Sequence, residues 1–300
     1  MATATPTKPP LTAIGHATNP LALWHLLSLD APSVATLWTW FIASTNHVRI
    51  PLSSAIAMTL AVWTLYAADR LMDARLLDNH LKQHEDLEAR HYFHHLHRFA
   101  FLTGILLASI ALTTLLPRLE PAAIHLYLIL GALVSAYFIL IHATNSAATQ
   151  QSIAHRLPKE IAVGLFFAAA TFIPTVARRP DLRLTLLPAA ILFAALCSLN
   201  CLFIYAWEHP APQATQRTHA ITRVALRNLP LLTILLTLSS LILTILDHEA
   251  PWPITCAIAI AAALLLFLNK QRNTISRVIL RAAADLALTT PILLLPFLHQ

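Results

Sequence analysis

The chain reads as a series of long apolar runs separated by short polar connections. Nine runs approach the length of a membrane span: 29–46, 51–69, 98–117, 121–142, 159–177, 184–207, 229–247, 251–269 and 278–298. A helix needs about 20 apolar residues to cross the hydrocarbon layer. The runs are rich in Leu and Ala and lack the period-two alternation of a barrel strand, so the pattern predicts helices. Pro51, Pro121, Pro230 and Pro251 fall near helix starts, where a missing N–H costs least. Pro174 and Pro291 fall within late turns, where proline kinks a helix.

Composition narrows the class. Hydrophobic residues make up 57% of the 300, and charged residues only 11%, against roughly 25% in an ordinary soluble domain. The mean hydropathy is +0.64. These values exclude a soluble globular enzyme and a disordered chain. With 4 Gly and 19 Pro, collagen-like and linker-like readings go as well. The expected fold is all-α: a polytopic integral membrane helical bundle of about nine transmembrane helices. Residues 1–28 read as a short flexible cytoplasmic segment, and 29–300 as one membrane domain. Residues 1–25 carry a single Lys and no long apolar core behind a basic start, so they do not read as a signal peptide.

Charge then sets the expected topology. The net charge of +6 resides on basic residues between the runs. That placement points to orientation and anionic headgroups rather than nucleic acid. Fourteen Lys and Arg fall on the side of the N-terminus and the second, fourth, sixth and eighth connections. Five fall on the other side, and Arg281 lies inside the last run. The richer side is therefore expected to be cytoplasmic, with the C-terminus opposite. A bacterial-type inner (plasma) membrane is the expected location. Cys197, Cys201 and Cys256 sit in apolar runs and read as small packing residues, with no disulfide framework.

The candidate chemistry lies between the runs. Asp69 and Asp73 are spaced i, i+4 at the end of the second run, so both carboxylates share a helix face. Such a pair suits Mg²⁺, which takes oxygen ligands and keeps waters for phosphate oxygens. It equally suits a solvated helix end paired through Arg70 and Arg75. Arg156 and Lys159 open the fifth run and suit phosphate or lipid headgroups. His80, His84, His91, His94, His95 and His97 crowd one connection. Their spacing is compatible with a borderline metal. The interleaved Leu and aromatic residues make an interfacial amphipathic helix equally natural. Arg281 and Asp285, at i, i+4 inside the last run, read as an internal ion pair or as the polar wall of a cavity.

Together these stretches resemble the UbiA-type intramembrane prenyltransferases. That family carries N-D-x-x-D-x-x-x-D at the cytoplasmic end of its second helix. Asp69-Arg70-Leu71-Met72-Asp73 matches the middle and last Asp with the Arg in place, while Leu65 and Tyr66 stand at the Asn and first Asp. Leu157-Pro158-Lys159-Glu160 with Thr171-Phe172-Ile173-Pro174 is similar to the helix after the family's fourth span. Leu202 to Glu208 resembles the end of the sixth, where the family has D-x-x-x-D and this chain has Glu208-His209-Pro210. Leu27 to Pro32 and Arg281 to Pro291 fit divergent members.

The resemblance implies helices around a central cavity. It implies Mg²⁺ held by Asp69, Asp73 and Glu208, with Arg70, Arg156 and Lys159 on the diphosphate of an isoprenyl donor. Asp69 and Asp73 would be the catalytic carboxylates, and a lipid or aromatic acceptor would take the isoprenyl group. The incomplete motifs leave a second reading open, a catalytically inactive relative that binds lipid or assists a complex. A small transporter is a third.

Overall fold

A computed structural model describes residues 20–78, 89–142, 157–209, 219–247 and 251–297, with the backbone alone at 73–78, 89–92, 138 and 141–142. Every regular element among them is helical. The backbone of a spanning segment must satisfy its own hydrogen bonds, which a helix does within one segment. The helices are α1 (Pro20–Leu26), α2 (Asp30–Thr45), α3 (Leu52–Asp78), α4 (Ala89–Leu96), α5 (Arg98–Leu115), α6 (Pro121–His142), α7 (Lys159–Arg178), α8 (Leu187–Glu208), α9 (Ala220–Arg227), α10 (Leu229–Leu246), α11 (Trp252–Lys270) and α12 (Arg277–Ala287). One further turn, Pro291–Leu294, follows α12.

Among the described residues, seven helical stretches are long and apolar enough to cross a membrane: Leu52–Met72 of α3, those of α5, α7, α8, α10 and α11, and Arg277–Phe297. An eighth arises if α1 and α2 are one span, bent by 90° between them. The chain is thus an all-helical protein with the character of an integral membrane protein.

The segment around residues 20–28 departs from the expected lead-in. It forms α1 and a break, with Ala22, His25 and Leu26 buried. At seven residues, α1 is too short to register as an apolar run.

Burial distinguishes central from peripheral helices. In the most apolar stretch of α8, 61% of residues are buried inside the protein, against 11% for α5 and 22% for α10. So α8 is the axis, while α5 and α10 turn mostly outward. The core joins α2, α7, α8, α11 and α12, with Leu229 and Leu236 of α10 at its side. Trp38 of α2 packs on Phe193 of α8 with ring centroids 4.3 Å apart. Its Nε1–H donates to the Leu288 carbonyl oxygen at 2.7 Å, one of the acceptors left open where a helix ends. Thr290 Oγ1 likewise donates to the Ala257 oxygen at 2.9 Å. The last span is therefore broken ahead of Pro291 and held by side chains at the break. Pro174, by contrast, lies inside a continuous α7.

The end of α7 and the connection after it carry three arginines. Arg178 Nη2 lies 3.5 Å from Glu120 Oε2, and Arg179 Nη2 lies 2.7 Å from Asp181 Oδ2. The hydrogen bond from Arg179 holds the Asp181 carboxyl below its ordinary value.

Helix α2 ends in a two-bond turn. Val48 N–H donates to the Ala43 oxygen at 2.8 Å and His47 N–H to the Ser44 oxygen at 3.1 Å. His47 takes φ 55° there, a conformation that costs an L-residue roughly 1 kcal/mol and glycine almost nothing. His47→Gly is expected to stabilise the protein by about 1 kcal/mol, read as a raised melting temperature in detergent; an unchanged or lowered value would contradict it.

Candidate functional site

The 90° break between α1 and α2 exposes backbone groups that the helices no longer satisfy. Non-helical backbone at membrane depth is tolerated where it is buried in protein or lines a cavity. Here Arg70, from α3, satisfies it. Arg70 Nη1 donates to the His25 carbonyl oxygen at 2.7 Å and to Ser28 Oγ at 2.9 Å. Its Nη2 donates to Asp30 Oδ2 at 3.0 Å. The planar fork of arginine suits three acceptors on one short segment better than an ammonium would. Ser28 sits at φ 59°, a strained value that these contacts hold in place.

Further side chains complete the centre. His25 Nδ1 lies 2.6 Å from Asp30 Oδ2 and 3.9 Å from Asp285 Oδ2. Asp30 Oδ1 accepts from the Ala31 N–H at 2.9 Å. Asn200 Nδ2 donates to Asp285 Oδ1 at 2.9 Å. His94 of α4 reaches Ser28 Oγ through Nε2 at 3.1 Å and stacks on Phe101 with centroids 4.2 Å apart. His25, Ser28, Asp30, Arg70, His94 and Asn200 are all buried. The centre therefore joins α1, α2, α3, α4, α8 and α12.

Arg70 offsets the charge of Asp30, and Asn200 holds the second carboxyl, that of Asp285. A surplus charge at this depth would be expensive. Among the described residues, ligand atoms of His25, Asp30 and Asp285 lie within 4.8 Å of one another. A metal there would have to displace the hydrogen bonds to Asp30 from His25 and Arg70.

A second group forms a rim. Lys159 Nζ of α7 lies 3.9 Å from Asp69 Oδ1 of α3, with the side chains 59% and 33% exposed. Next to Lys159, Glu160 Oε2 accepts from Thr222 Oγ1 at 3.1 Å. Cys201 of α8 is within electrostatic reach of Lys159, Glu160 and Asp285, and Tyr66 of α3 within reach of Cys201, Asp285 and Asp30. Asp69 and Arg70 are adjacent on α3, so the rim and the buried centre meet on one turn of that helix.

The residues expected from sequence separate into different places. Asp69 and Lys159 meet at the rim. Arg70, expected on a diphosphate, is consumed by the break. Glu208, expected on a metal, pairs with Arg281. Arg281 and Asp285, expected to pair with each other, instead meet Glu208 and Asn200. Backbone alone is described at Asp73, and Arg156 lies outside the described residues, as do His80 and His84. The three cysteines are free thiols. His25 and Ser28 carry no sequence signal of a site, and His94, a candidate for a borderline metal, instead meets Ser28. Asp30 inside a Leu- and Ala-rich stretch was the available signal, since an acid at such a position needs a partner.

Of the three carboxylates expected on a metal, the side chains of Asp69 and Glu208 are described. A two-metal site needs several free carboxylates facing one another. Here Glu208 and Asp69 are each turned to a cation of the protein itself. No protein-family model, curated protein or solved structure matches the chain.

Proposed function

We propose that the chain is a UbiA-like membrane protein that receives a prenyl lipid at its Asp69–Lys159 rim without Mg²⁺-dependent diphosphate chemistry. One observation carries the second half of this reading. The charges expected to hold metal and diphosphate are spent on internal partners: Arg70 on the α1–α2 break, Glu208 on Arg281. The first half rests on the resemblance of residues 27–32, 69–73, 157–174, 202–208 and 281–291 to that family. In this reading nine spans surround a central cavity, the N-terminus is cytoplasmic and the C-terminus lies opposite. The imbalance of 14 to 5 basic residues supports that orientation.

A catalytic reading, isoprenyl transfer to a lipid or aromatic acceptor, is favoured by one feature. The Asp69–Lys159 pair is accessible, so a Mg²⁺-diphosphate could open it. Equilibrium binding of geranyl to geranylgeranyl diphosphate to the reconstituted protein, with Mg²⁺ or with EDTA, separates the two. The non-catalytic reading expects binding that survives both EDTA and Asp69→Ala. Loss of binding under either condition would favour catalysis, and no binding at all would remove the prenyl assignment.

A further inference from the structure

Away from the Asp69 rim, a cavity of about 530 Å³ opens where the end of α8, the end of α9 and the α11–α12 turn come together. Arg227, Arg272 and Arg277 line it, with Asn273, Tyr205 and Trp207. The three arginines come from two connections, so no single helix end accounts for their convergence. Among the described residues none of the three has an acidic partner. The one carboxylate nearby in sequence, Glu208, is already engaged by Arg281.

The walls are fixed. Trp207 Nε1 donates to Asn269 Oδ1 at 3.0 Å, which pins the end of α8 to the end of α11. Leu280, 1% exposed, forms the floor. Arg277 is the first residue of α12, whose N-terminus has no side-chain cap. Its first-turn N–H groups therefore add to the positive field.

We propose that this cavity binds a phosphate-bearing anion, with the arginine forks on the phosphate oxygens. Guanidinium groups match phosphate bidentately. Both connections fall on the side expected to be cytoplasmic, where anionic headgroups lie and where basic pockets between spans take lipid phosphates. Tyr205 and Trp207 are the amphipathic rings that suit headgroup depth. The same phosphate chemistry is offered by a phospholipid headgroup or by free phosphate. The inference does not rest on Asp69, Arg70 or Lys159, and Asp69→Ala leaves it untouched.

The test uses the purified full chain, stripped of lipid in detergent. Thermal stabilisation is titrated with phosphatidylglycerol, with phosphatidylcholine and with inorganic phosphate. Phosphatidylglycerol is expected to stabilise where phosphatidylcholine does not. Arg272→Gln and Arg277→Gln should each weaken that effect roughly five-fold. Arg118→Gln, an exposed arginine elsewhere, should not. Stabilisation by inorganic phosphate, lost in the same two variants, would support the site with a free anion as its occupant. Equal response to both lipids with none to phosphate would overturn the proposal. So would equal loss in Arg118→Gln, or no stabilisation by any of the three.

Discussion

Arg70→Met is expected to destabilise the protein by about 3–5 kcal/mol, the cost of removing one partner from a buried ion pair. The magnitude follows from what is left behind. Asp30 would keep its carboxylate with His25 and the Ala31 N–H beside it and no full positive partner from α3. The His25 carbonyl and Ser28 hydroxyl at the break would each lose a donor. Water cannot readily replace these contacts in a centre where the Arg70 and Asp30 side chains are 5% and 2% exposed. Adding Asp30→Asn to Arg70→Met removes the orphaned charge, so the double variant should be more stable than Arg70→Met alone. Unfolding in mixed detergent micelles measures both. Additive losses would show that the two residues do not act as a pair.

Gly164 gives the second large effect. It faces α8 so closely that a β-carbon would meet Ser198 Oγ and lie 2.5 Å from the Ala194 carbonyl oxygen. Helices in membranes associate through such small-residue contacts, because lipid supplies no hydrophobic drive between them. Gly164→Ala should cost about 1–3 kcal/mol by overpacking, and Gly164→Leu should prevent α7 from seating on α8. Ser198→Ala in the alanine background should recover only part of the loss. It removes the hydroxyl, but the Ala194 oxygen is backbone and stays. Full recovery, again read by unfolding in micelles, would mean that the backbones are not in contact there.

The spans were legible because their signal is local. Lipid imposes a length and an apolar content on each segment, and α3, α5, α7, α8, α10 and α11 announce themselves that way. Helix α1 did not, since seven residues carry no such signal and its stability comes from packing on α12. Charged residues were legible as individuals and not as partners. Asp69 and Lys159, 90 positions apart, meet at 3.9 Å. Arg281 and Asp285 share a helix face, yet bond across to α8 at Glu208 and Asn200. Arg70 sits next to Asp69 in sequence but turns inward to a break that no periodicity reveals. Pairing across a bundle depends on which helices adjoin, and the hydropathy pattern contains no such information. The same gap hid the arginine cavity, which is assembled from two connections.

In the proposed reading this chain carries out no Mg²⁺-dependent diphosphate chemistry. Release of inorganic diphosphate from geranylgeranyl diphosphate, measured in a single turnover with Mg²⁺ and a phenolic acceptor, tests this most directly. No release above the protein-free rate is expected, and no difference between the wild-type chain and Asp69→Ala. Mg²⁺-dependent release that disappears in Asp69→Ala would contradict it.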